Sequence, residues 1–147
     1  MAAVPAPREV FLRVVNGVAE RRYAELHELY AETTDVRHPM SPYGDNPLLS
    51  RDDVRKHFGA AGARVATVRF RPENIVVHET TDPEVIVAEF EYRGTGVESG
   101  EPFAAACVFV VRVRDGEIVE SRDYIDHLAM AKARGELEPL IEALRPA

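Results

Sequence analysis

From Val65 to Asp126 the chain is almost continuous strand-forming sequence, and that run limits the fold more than any other feature. It divides into Val65–His78, Glu84–Val97, Phe103–Asp115 and a terminal segment, Gly116–His127. Only short turn signals part them: Thr81-Asp82-Pro83, Glu98-Ser99-Gly100 and Asp115-Gly116. Connections this short cannot hold a parallel crossover, so the spacing predicts an antiparallel meander.

Helical patterns flank the strands. Val10, Phe11, Val14, Val15 and Val18 form a stripe over Arg8–Ala19, and Tyr23–Tyr30 reads as a short second helix. A short strand, Thr33–Met40, is stopped by Pro39, and Ser41–Leu49 reads as loop at a pocket mouth. Ser50 followed by Asp53 is a capping pattern for a third helix running to about Gly62. Val54, His57, Phe58 and Ala61 share one face of it, so His57 lies on the apolar side. Leu128–Arg134, stopped by Gly135, and Glu136–Leu144 complete a helical tail over residues 128–147. The expectation is one α+β domain over residues 1–147, with residues 1–7 a loose leader. Three N-terminal helices would pack on one face of a curved antiparallel sheet and enclose a pocket.

Composition enters mainly by exclusion. A net charge of −7 argues against nucleic acid or an anionic membrane as partner, because both demand basic patches. One cysteine, Cys107, excludes a disulfide framework and a cysteine-based zinc site. No run reaches membrane-span length and residues 1–9 lack a signal-peptide pattern, so a cytoplasmic location is expected. Ordered metal-ligand spacing is absent from the sequence, and neither a metal nor a cofactor is expected.

The terminal segment carries the candidate chemistry. Alternation puts Val119, Ser121, Asp123 and Ile125 on one face, and Ile118, Glu120, Arg122, Tyr124 and Asp126 on the other. Asp123 then sits among small and apolar neighbours, where desolvation disturbs protonation and suits a general acid or base. The alternative is an edge strand whose charges are solvated and deter pairing. His38 and His57 are the other candidates for proton transfer near neutral pH. His78 and His127, at strand ends, read as solvated.

Leu29-Tyr30-Ala31-Glu32 leading to Val36-Arg37-His38-Pro39, then Ser50-Arg51-Asp52-Asp53-Val54, then Arg122-Asp123-Tyr124-Ile125-Asp126 resemble the SnoaL-like branch of the nuclear transport factor 2 and ketosteroid isomerase superfamily. The resemblance covers nearly the whole chain in element order and implies a conical cavity between helices and sheet. It also implies a homodimer built on the outer sheet face, where Glu120, Arg122 and Tyr124 should lie.

Subfamilies within that superfamily match in part. Ketosteroid isomerases place a catalytic acid at the position of His38, and their oxyanion-hole donors fall near Val14 or Val15 and near Phe109. Both donors are missing here, so steroid isomerisation is not expected. Limonene epoxide hydrolases match at Asp123, but their Arg–Asp pair reads Glu89-Phe90-Glu91, leaving an acid pair of Asp123 with Glu89 or Glu91 to activate water. Phenazine-biosynthesis A/B proteins resemble Glu79–Pro83 and Arg93-Gly94, and their acid/base His coincides with His57, while their partner Glu falls near Ala104. The resemblance thus implies a SnoaL-like cyclase or isomerase of secondary metabolism, acting on a hydrophobic carbonyl compound by cofactor-free acid/base catalysis. Water activation of the epoxide-hydrolase kind and a non-catalytic binding or dimerisation module are the alternatives. Asp123, His38 and His57 are the expected catalytic residues. Val14, Met40, Tyr43, Phe58 and Phe109, with Glu89, Glu91, Cys107 and Ser121, are the expected substrate contacts.

Overall fold

The computed structural model describes residues 3–147; residues 1 and 2 of the expected leader lie outside it. Six strands form one curved, unclosed sheet: β1 (Tyr30–Arg37), β2 (Leu48–Ser50), β3 (Val68–Glu79), β4 (Val85–Gly96), β5 (Pro102–Arg114) and β6 (Glu117–Ile125). Their order across the sheet is β2-β1-β6-β5-β4-β3. The last four form the expected antiparallel meander, closed at Asp115-Gly116 by two successive left-handed residues (φ 52° and 80°), as a two-residue hairpin turn requires. β1 joins parallel to β6, so β6 is an interior strand, not an edge.

Helix α1 (Pro7–Ala19) buries Val10, Phe11, Val14 and Val15 against the concave face of the sheet. Its first turn begins at Pro7, whose fixed φ suits a helix start. The expected helix over Tyr23–Tyr30 is a 3₁₀ turn, Leu26–Leu29, and Tyr30 already begins β1. Left-handed Arg21 (φ 61°) breaks the chain here, and the remaining stretch is too short to sustain an α-helix. Helix α2 (Arg51–Arg64) starts where expected: Ser50 Oγ accepts from Asp53 N–H at 3.0 Å, and Asp53 Oδ2 accepts from Leu49 N–H at 3.0 Å. These reciprocal bonds satisfy two backbone donors at the helix start. Leu48–Ser50, read as loop and cap, pairs with the free edge of β1, and Thr34 Oγ1 donates to Leu48 O at 2.9 Å. The tail forms α3 (His127–Ala133) and α4 (Leu137–Leu144), separated by left-handed Gly135 (φ 71°).

One irregularity changes the face assignment in β6. Glu120 pairs with Arg112, but Ile118 pairs with Val113, so Val119 is an extra residue in a bulge. Beyond it parity reverses, and Ile118 (2% exposed) lies inward with Ser121 and Asp123, against the alternation expected. The bulge leaves Asp123 facing in.

Candidate active site

A cavity of about 330 Å³ opens between the concave face of the sheet, α1, α2 and α3. Val14 of α1, Val36 of β1, Val54 and Phe58 of α2, and Phe109 of β5 supply apolar walls. Asp123 reaches it from β6 and is 7% exposed.

The register of β1 and β6 sets the centre of the site. Arg37 pairs with Arg122 in the parallel ladder, so the next residues, His38 and Asp123, are brought side by side. His38 Nε2 lies 3.6 Å from Asp123 Oδ2. Pro39 ends the strand, and the chain turns with Ser41 N–H donating to His38 O at 3.0 Å and His38 N–H to Asp45 Oδ1 at 3.1 Å. Both ends of the His38 backbone are thereby tied. His57 comes in from α2 and stacks on His38, with ring centroids 5.0 Å apart and planes 30° apart.

Burial sets the protonation states. The Asp123 carboxyl is pushed up from 3.8 to about 7 by desolvation, against a hydrogen bond from Ser121 Oγ that holds it down. His38 is lowered by desolvation, with Asp45 opposing. His57 falls to about 4, first from desolvation and then from the charges of His38 and Arg64. Each group is shifted toward its neutral form, the carboxyl upward and both imidazoles downward. Asp123 is therefore poised to take or give a proton near neutral pH, beside imidazoles that burial keeps neutral. Tyr30 and Tyr92 also line the cavity; burial raises both hydroxyls well above 10, and the charge of Asp123 adds to each. They are protonated donors at working pH.

Several expected contacts lie elsewhere. Tyr43, Phe58, Val14 and Phe109 line the cavity, and Ser121 acts on it through Asp123. Glu89 and Glu91 point away, because β4 turns Ala88, Phe90 and Tyr92 inward and the residues between them outward. Glu89 meets His78 at 2.6 Å on the outer face, and Glu91 meets Arg93 and Asn74. No acid pair with Asp123 forms. Cys107 is in the core beside Ile125, its thiol pushed up to about 12 by burial, and with Met40, 64% exposed, it borders a separate depression. His127, read as solvated, lines the cavity.

Arg134, Glu136, Arg64, Tyr23 and Phe70 are among the lining residues that the sequence reading did not select. The spacing of His127, Met130, Ala131 and Arg134 in the tail is a helical stripe that could have marked α3 as a cavity wall. Among the described residues no group of three or more His, Cys, Asp or Glu side chains is arranged to hold a metal ion. No helix among them is long and apolar enough to cross a membrane.

The sequence profile of the SnoaL-like domain matches residues 11–121, which take in the β1 end, α2 and β6 as far as Ser121. The chain belongs to the SnoaL-like domain family. Two curated relatives are each 36% identical: YesE of Bacillus subtilis over 59 residues, and the PhzA/B-like protein PA3332 of Pseudomonas aeruginosa over 72. These alignments span 40% and 49% of this chain, and 40% and 50% of the relatives' own lengths.

Solved structures agree in fold. A provisionally assigned isomerase from Bacillus subtilis superposes with a TM-score of 0.76 at 21% identity, over 88% of this chain and 93% of its own. A provisionally assigned polyketide cyclase from Pseudomonas putida KT2440 gives 0.65 at 14%, over 88% and 98%. A protein of ketosteroid isomerase-like fold from Catenulispora acidiphila, solved with trimethylamine, gives 0.64 at 15%, over 90% and 95%. At such identities the likeness is one of architecture: the SnoaL-like chain has the cone of the nuclear transport factor 2 superfamily.

Proposed function

We propose that this SnoaL-like protein is a cofactor-free enzyme that moves protons on a hydrophobic carbonyl compound, in a cyclisation, isomerisation or dehydration. The observation that carries the reading is Asp123: a carboxyl raised to about 7, buried in the wall of a cavity with apolar sides, 3.6 Å from an imidazole. A carboxylate with so high a pKa is a stronger base than an exposed one and is still ionised in half the molecules at pH 7. It removes a proton from the carbon beside the carbonyl, and the hydroxyls of Tyr30 and Tyr92 donate to the oxygen that gains the charge. The proton, now on Asp123 or relayed to His38, returns to another carbon in an isomerisation. In a cyclisation the enolate carbon attacks a second carbonyl and the new alkoxide takes that proton. Family membership and the fold support this class of chemistry; the substrate and the step are the proposal.

Proton exchange tests it without knowledge of the substrate. Cavity-sized ketones such as 2-acetonaphthone, incubated with the protein in D₂O, should lose their α-proton NMR signals faster than in buffer. Exchange should increase with pH through a midpoint near 7, a value belonging to the Asp123–His38 pair, and level off above it. Asp123→Asn should slow exchange by about 10²-fold or more and remove that limb. Exchange no faster than buffer across a panel of such ketones, or an unimpaired Asn variant, would refute the proposal.

A further inference from the structure

We propose that the substrate is an acid whose carboxylate binds Arg134 at one end of the cavity while its reacting carbonyl lies beside His127 and Asp123. The proposal rests on the acid/base reading above and names the kind of molecule that site takes.

The argument starts from α3. His127, Met130, Ala131 and Arg134 follow one another at helical spacing, and all four line the cavity. The two polar residues are seven apart, about 10 Å along a helix, with apolar side chains between them. This wall therefore presents a polar group, an apolar strip and a second polar group in line. His127 opens α3 two residues after the end of β6, the strand that carries Asp123, so it is the nearer of the two to the catalytic end. Arg134 marks the other end.

Each of the two polar groups carries a buried nitrogen without a hydrogen bond. Among the described residues the buried side-chain atoms without a hydrogen bond are Tyr23 OH, His27 Nδ1, His127 Nε2 and Arg134 Nε. Tyr23, His127 and Arg134 all line this cavity. Unpartnered buried groups destabilise a folded chain, so their collection in one cavity points to a ligand that satisfies them.

Charge identifies the ligand group. Glu136 Oε2 lies 3.2 Å from Arg64 Nη2 and 3.3 Å from Arg134 Nε, the second without hydrogen-bond alignment. One carboxylate thus serves two guanidiniums, and a positive charge is left over in a chain whose net charge is −7. The Arg134 side chain is 15% exposed, and burial holds its guanidinium below the usual range. A second anion beside it would offset the cost of that desolvation. The planar fork of a guanidinium matches a carboxylate in geometry, and a cavity of about 330 Å³ with apolar walls between its polar groups suits one such group on a ring system of modest size.

A matched pair of probes decides the matter: 6-acetyl-2-naphthoate and its methyl ester, titrated by calorimetry at low salt. The acid should bind the parent protein about 10-fold more tightly than the ester. Arg134→Gln should abolish that preference by weakening the acid alone. Glu136→Gln, which removes the competing carboxylate, should tighten the acid several-fold and leave the ester unchanged. A merely structural Arg134 would instead weaken both probes equally. Should Arg134→Gln fail to fold, Arg134→Lys and Glu136→Gln carry the same test. Equal affinity for acid and ester in the parent, or an acid preference that survives in the Gln variant, overturns the proposal. Exchange of the acetyl protons in both probes without acid preference would defeat this inference and leave the acid/base reading standing. Acid preference without any exchange would do the reverse.

Discussion

At the scale of the residue, Asp123 joins chemistry to stability. Its folded pKa of about 7 lies above the 3.8 of an unfolded chain, so folding favours its protonated form. Below pH 4 both states are protonated and the group costs nothing. As pH rises through 7 the folded chain must hold a buried carboxylate, and that part of its stability is lost. Asp123→Asn keeps the shape and cannot ionise. The variant should be more stable than the parent at pH 8, on the order of 2–4 kcal/mol, with the gap closing toward pH 4. Thermal melts of the two proteins across that range measure it, and a gap independent of pH would show that Asp123 ionises normally. Strand alternation was enough to select Asp123. The same alternation applied to β4 would have sent Glu89 and Glu91 outward, since Phe90 and Tyr92 are the residues that pay a penalty in water.

At the scale of the element, short stretches were decided by what they pack against. Leu48–Ser50 has loop composition and becomes a strand because β1 offers an unpaired edge. Val119 makes a bulge that no propensity announces, yet it turns Ile118 into the core. The start of α2 was legible, because Ser50 and Asp53 cap by local geometry alone. That cap positions His57 two turns further along. Ser50→Ala should lower stability by about 1 kcal/mol, read as a reduced midpoint in urea. It should also loosen the His38–His57 stack, seen as changed ring shifts in NMR. An unchanged midpoint would mean that packing alone sets the helix start. Gly94 shows the opposite case: a Cβ there would come within 1.7 Å of Arg69 O, so the β3–β4 approach itself demands glycine.

At the scale of the molecule, we propose the outer sheet face as the contact for a second copy. Tyr124 and Val108 sit opposite one another there, and Val108 is 36% exposed. Glu120, expected on this face, is engaged within its own chain by Arg112 at 3.4 Å. Arg122 has no carboxylate partner among the described salt bridges and remains available for one. A two-fold contact across this face would place each Arg122 near acidic residues of the other copy. Sedimentation at roughly tens of micromolar should give a dimer, and Arg122→Glu should weaken it. Monomer alone in the parent protein would rule this contact out.

What the sequence determined by itself is everything with a short-range cause: the meander from its turns, the helix faces from their period, the α2 start from its cap, the inward aim of Asp123 from parity. Tertiary structure decided which of these residues meet. His38 and Asp123 are 85 positions apart in the chain, and only the parallel pairing of β1 with β6 makes them neighbours. His127 and Arg134 look like ordinary tail residues until α3 folds back over the cavity. The pKa values that define the site have the same origin. Desolvation depends on what surrounds a group in space, and chain order does not record that.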